Sequence, residues 1–225
     1  MSLPLYQVKT ISGRGRGLFA RSDIPEGTRI LAEKPLLTVP HNIPPDEAES
    51  YIASKLEGLP NAYQQVFHSL HDCSSDERTL AGTFLSNAIP CGPNPKVDAV
   101  YTTVCFINHD CIPNSYPSWN INLNMETVHA IRPIKAGEEI TVCYTEGITT
   151  RDRKEYLETN FSFECSCSIC SLSLPEQTLS DARRTEIERL FRDTLPKDPP
   201  SSDLEGVLPK LYQMIRLLEK VNGQV

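Results

Sequence analysis

Asn108-His109-Asp110-Cys111-Ile112-Pro113-Asn114 places two asparagines, a histidine and a thiol within seven residues, directly after an apolar run. A single histidine in such a place is most often a satisfied core residue, and a single asparagine a turn former. Here they stand together with Pro113, which marks a shaped loop. The preceding stretch, Val100 to Phe106, is rich in Val, Thr and Tyr and reads as a strand. Downstream, Trp119, Ile121 and Leu123 alternate with polar residues, as in a strand covered on one face. Asn124-Met125-Glu126 turns this strand into Thr127 to Ile131. Ile134-Lys135-Ala136-Gly137 is a further turn, before a strand over Glu139 to Tyr144, and the adjacent Glu138 and Glu139 read as a solvated turn rather than an acid/base pair.

Toward the N-terminus, Gly13-Arg14-Gly15-Arg16-Gly17 separates the short apolar stretches Leu5 to Ile11 and Leu18 to Ala20. It is not a phosphate-cradling loop, because a strand rather than a helix follows it. Its glycines allow close backbone approach, with two arginines alongside. Ile24-Pro25-Glu26-Gly27 resembles the later turn at Ile134 and leads into Arg29 to Glu33, with Leu36 to Val39 as a further strand. From Pro44 the period changes. Ala48, Ile52, Leu56 and Leu59, then Ala62, Val66, Phe67 and Leu70, recur at helical spacing, so about 44–90 reads as a helical insertion between β-rich parts.

Of eight cysteines, only Cys165, Cys167 and Cys170 are clustered. Three thiolates in six residues fit a tetrahedral zinc site lacking one ligand. Spacing leaves the fourth open among Cys73, Cys91, Cys105, Cys111, Cys143 and His109. Beyond Cys170, Ile187, Leu190 and Phe191 form one apolar helical stripe, and Leu208, Leu211, Ile215 and Leu218 a second. Pro196 to Ser202 forms a loop between them.

The chain holds 225 residues, enough for one elaborated domain with an appendage. With 22 Lys and Arg against 29 Asp and Glu, it carries a net charge of −7. That argues against direct nucleic-acid binding, which needs concentrated positive charge, and suits a basic protein partner. No apolar run reaches the roughly 20 residues of a spanning helix, and the start lacks a signal-peptide core. An intracellular chain, in nucleus or cytoplasm, is the expectation. Gly-x-Ser-x-Gly and His-Glu-x-x-His motifs are absent, so hydrolase chemistry has no support.

In this order, the GRGRGLFA turn, the INHDCIPN loop, the AGEEITVCY strand and the Cys165–Cys170 cluster resemble a SET-domain protein methyltransferase. The resemblance covers about 5–40 and 85–171 and is strongest to the SET-and-MYND branch. The MYND finger itself is missing, since Pro44 to Pro90 offers a single cysteine, Cys73, with Cys91 just beyond. The resemblance implies an α+β fold, mainly β with α additions, whose small curved sheets thread into a pseudoknot. It divides the chain into a SET domain over 1–148, split at 44–90, a post-SET zinc segment over 149–174 and a C-terminal helical region over 175–225.

It further implies transfer of a methyl group from S-adenosylmethionine (SAM) to a lysine of a protein substrate, such as a histone or another Lys/Arg-rich chain. Arg14, Gly15 and Arg16 would embrace the methionine part of the cofactor, with Asn87, Asn108, His109 and Tyr144 also at the cofactor and Phe163 stacked on its adenine. Tyr144 would be the catalytic residue. Cys111 would join Cys165, Cys167 and Cys170 around one structural zinc ion. The enzyme is expected to act as a monomer. Phe161 stands where the branch usually has a second tyrosine, which alters the lysine channel. It favours the alternative of a weakly catalytic, zinc-stabilised binding module.

Overall fold

The computed structural model describes residues 3–73, 77–92, 94–194 and 204–222; the loop expected at Pro196 to Ser202 lies outside these. The chain divides into two compact units, one of Met1–Cys143 with Asn160–Ser162, the other of Tyr144–Thr159 with Phe163–Val225. The fold is α+β, and no helix among the described residues is long and apolar enough to cross a membrane.

Among the described residues, three small sheets build the first unit. Strands β1 (Tyr6–Ile11) and β2 (Gly15–Ala20) form a hairpin in which Ile11 pairs with Gly15. Gly15 takes φ +73°, a left-handed value that glycine reaches without strain. β3 (Arg29–Glu33) and β4 (Leu37–Pro40) enter two further sheets. The expected insertion follows as α1 (Pro45–Glu57), α2 (Asn61–His68) and α3 (Leu80–Leu85). Its apolar residues Ile52, Leu56, Phe67, Leu70 and Phe84 pack against Leu37, Val39 and Val100. That packing supplies most of the stability of such short helices. β5 (Ile89–Pro90) and β6 (Val97–Val100) complete the sheet with β4, in the order β4-β6-β5.

The strand expected over Val100 to Phe106 ends at Val100; the chain turns, and Val104–Phe106 is a 3-10 turn. The cause lies far away in sequence. The Glu33 carboxylate accepts the backbone N–H groups of Thr102, Thr103 and Val104 and the Thr102 hydroxyl, which withdraws those donors from any ladder. β7 (Asn108–His109) opens the loop at the centre of the fold. The expected hairpin forms from β8 (Ser115–Asn120) and β9 (Met125–Ala130), in the order β3-β9-β8. Its turn falls at 121–124, earlier than the alternation suggests, and Ile121 is 78% exposed. Asn120 Oδ1 accepts the N–H groups of Asn122 and Leu123, and Asn124 takes φ 52°.

β10 is shorter than expected, Glu139–Val142. It runs antiparallel to β2 and parallel to β7, giving the sheet β1-β2-β10-β7. The buried Asn114 fastens the central loop to it: Nδ2 donates to Glu138 Oε1 (3.0 Å) and Glu139 O (2.7 Å), and Oδ1 accepts Thr141 N–H at 2.8 Å. The two similar turns meet, with Ile24 and Ile134 exchanging backbone hydrogen bonds at 2.8 and 2.9 Å. Both isoleucines are buried.

The second unit holds α4 (Thr150–Phe161, its end grouped with the first unit), α5 (Leu174–Thr194) and α6 (Leu204–Asn222). Arg153 is buried there; Nη1 donates to Ile148 O at 2.6 Å and Nη2 to Thr150 Oγ1 at 3.0 Å. α5 and α6 pack on each other, and Leu190 and Val221 are buried. The second expected stripe, Leu208, Leu211, Ile215 and Leu218, faces solvent.

Candidate functional site

Gly17 sets the geometry. A Cβ there would lie 2.7 Å from Glu139 Oε1 and 2.9 Å from Asn108 Nδ2, closer than side chains tolerate. Its absence lets Asn108 reach across, where Nδ2 donates to Arg16 O (3.0 Å) and to Glu139 Oε1 (2.7 Å). Both amide hydrogens are thereby spent, and the carbonyl oxygen is what Asn108 has left to offer a ligand. Arg14 closes the group, with Nη2 3.0 Å from Glu139 Oε2.

The Arg16 guanidinium lies 4.0 Å from the centre of the Phe106 ring and donates to the hydroxyl and carbonyl of Ser69, after α2. Asn87 donates from Nδ2 to His71 O (2.6 Å) and Thr83 O (2.8 Å). Arg16 and Asn87 therefore hold the same 69–71 segment, which links the glycine-rich hairpin to the helical insertion. His109 is buried, and its Nε2 lies 3.2 Å from Cys111 Sγ. Thus Arg14, Arg16 and Asn108 are joined through Glu139 and the Arg16 carbonyl, Asn87 reaches the segment that Arg16 holds, and Gly15 and His109 adjoin them in sequence, all in the first unit.

Tyr144 and Phe163 belong to the second unit, both half-buried; Phe161, also half-buried, groups with the first. Ser162 between the phenylalanines takes φ 55° and donates from Oγ to Cys73 O at 2.9 Å. In the second unit the sulfur atoms of Cys165, Cys167 and Cys170 lie within 4.8 Å of one another, and Cys111 is buried in the first. Sulfurs about 2.3 Å from a tetrahedral zinc would stand about 3.8 Å apart, so this cysteine cluster is compatible with zinc.

Residues 15–145 match the SET domain family. The chain belongs to it. Similar proteins include histone-lysine N-methyltransferase set5 of Schizosaccharomyces pombe, 33% identical over 81% of this chain and 56% of that one. Histone-lysine N-methyltransferase SMYD3 of Homo sapiens is 35% identical over 32% of this chain and 16% of that one. Histone-lysine N-methyltransferase ATXR4 of Arabidopsis thaliana is 34% identical over 44% and 29%. The chain spans about half the length of the first of these, and less of the others.

Within the SET domain, two glutamates expected to sit in a solvated turn are wired into the site. Glu139 bridges Arg14 and Asn108. Burial alone would raise the Glu138 carboxyl, but hydrogen bonds from Lys135 N–H, Asn114 and Arg132 outweigh it and hold it below its usual range. The hint in the sequence was their place at the start of the strand following Ala136-Gly137. A third carboxyl lies apart from this site. Glu126 is buried with Oε2 unpartnered, and burial pushes it up to about 7 despite a hydrogen bond with Tyr101.

Proposed function

We propose that the chain is a protein-lysine N-methyltransferase that uses SAM. The observation that carries this reading is the Asn108 amide, held by Arg16 O and Glu139 in the middle of the SET match, with only its carbonyl oxygen left to face a ligand. An acceptor beside a carboxylate fits a cationic cofactor, and the space opened by Gly17 keeps both in place. Arg14, Gly15, Arg16, Asn87, Asn108, His109 and Tyr144 would hold the cofactor, with Phe163 on its adenine. Cys111, Cys165, Cys167 and Cys170 would hold one zinc ion, with the His109 ring orienting the Cys111 thiolate.

SAM supplies an activated methyl group on a sulfonium. The protein's tasks are then alignment and charge placement. With SAM bound, the lysine amine would have to arrive neutral, its proton given up to water, and in line with the methyl group that the sulfonium would supply. A free lysine has a pKa of about 10.4, so neutralising it at pH 7 costs about 4.6 kcal/mol. An apolar channel lined by Phe161 reduces that cost by disfavouring the ammonium. Tyr144 orients the amine through its hydroxyl.

The substrate is a Lys/Arg-rich protein segment, which the net charge of −7 attracts and the similarity to histone-lysine N-methyltransferases supports. The enzyme acts as a monomer inside the cell, without membrane or direct nucleic-acid binding. Its SET domain spans 1–148 around the insertion at 44–90, followed by a zinc segment over 149–174 and a helical region over 175–225. The test is incubation with SAM and core histones, followed by mass spectrometry. Lysines gaining methyl groups support the reading; a SAM-binding protein that leaves lysine-rich substrates and itself unmodified overturns it.

A further inference from the structure

We infer that Glu139 is a positioning residue of the cofactor site, acting through Asn108. This rests on the SAM reading above and adds a residue to it. An asparagine amide can be turned over by half a rotation, which exchanges its donor and acceptor ends. In one orientation Asn108 offers a ligand its oxygen, in the other its NH2 group. Arg16 O, 3.0 Å from Nδ2, favours the first. Glu139 Oε1, 2.7 Å from the same nitrogen, favours it more strongly, because the acceptor is a carboxylate and turning the amide would set oxygen against it.

The carboxylate is held in its turn. Arg14 takes Oε2 at 3.0 Å, and the Glu139 side chain is 16% exposed against 58% for Arg14. The missing Cβ of Gly17 leaves the space into which Glu139 Oε1 and Asn108 Nδ2 converge. The carboxylate therefore does two things at once. It fixes Asn108 with its acceptor toward the ligand, and it keeps negative charge beside a site built for a cationic cofactor.

The test uses the full, zinc-quantified, 15N-labelled chain and compares wild type with Glu139→Gln, which keeps the size and removes the charge. In wild type the two side-chain amide hydrogens of Asn108 should resonate away from free-amide positions. In Glu139→Gln they should move back toward them, and the SAM dissociation constant should rise about tenfold, the effect of losing a charge-assisted hydrogen bond. An Asn108 pair unmoved by the substitution, or a moved pair with unchanged SAM affinity, overturns the role of Glu139. Wild type failing to bind SAM overturns the cofactor reading instead, while the resonances still report on Glu139. If Glu139→Gln does not fold, Glu139→Asp takes its place, since it keeps the charge but draws the carboxylate back from Asn108 by one methylene. The Asn108 pair should again move toward free-amide positions, and an unmoved pair refutes the coupling.

Discussion

Glu126→Gln should abolish a pH dependence of stability that is built into the first unit. Glu126 lies on β9, paired with Glu33 on β3 and Trp119 on β8. It is 1% exposed, with Tyr101 and Cys91 nearby on the loops flanking β6. Burial raises its carboxyl from 4.5 to about 7. The folded state thus holds this proton more tightly than the unfolded chain. Glu126 costs nothing below the unfolded value; its penalty grows as pH rises and is complete above about 7. The full difference is about 3 kcal/mol, of which about 2 kcal/mol falls between pH 5.5 and 8.5. Urea unfolding at these two pH values, with zinc held constant, reads it out. Every other group contributes alike to both proteins, so the informative quantity is the wild-type change minus that of the variant, about 1 M in midpoint. A constant penalty for burying the Gln amide does not affect this difference. Parallel pH profiles for the two proteins would show that Glu126 carries no such penalty.

Asn114→Ala removes the buried amide that joins the central loop to β10 and should cost about 3 kcal/mol, measured as chemical unfolding; a loss below about 0.5 kcal/mol would contradict it. Gly17→Ala forces a methyl group between Glu139 and Asn108, so it should destabilise by about 2 kcal/mol and weaken SAM binding, read by unfolding and calorimetry. Metal analysis should find one zinc per chain, and Cys111→Ser should lose it together with thermal stability; full zinc retention would remove Cys111 from the ligand set.

What could be read locally was read from the sequence. The β1–β2 hairpin, the helical insertion and the β8–β9 hairpin follow from side-chain period and turn residues, and the Cys165–Cys170 spacing announces a thiol cluster. Failures came where a distant partner decides. Val100 to Phe106 has strand composition, but Glu33, some seventy positions earlier, takes its backbone donors. Ile121 and Leu123 alternate like strand residues, yet the Asn120 side chain turns the chain before them. Glu139 looked like a solvated turn residue because its partners, Arg14 and Asn108, are 125 and 31 positions away. Arg14 and Arg16 were read together, whereas the fold gives their side chains different neighbours, Glu139 for one and Ser69 with Phe106 for the other.

The proposed role of Asn108 at a SAM site can be tested without knowing any substrate, by calorimetric titration of SAM into zinc-quantified wild-type protein and into Asn108→Ala. A saturable one-site isotherm with micromolar affinity is expected for wild type, lost in a variant that remains folded. Absence of heat with folded, zinc-loaded wild type, or equal binding by both proteins, would contradict it.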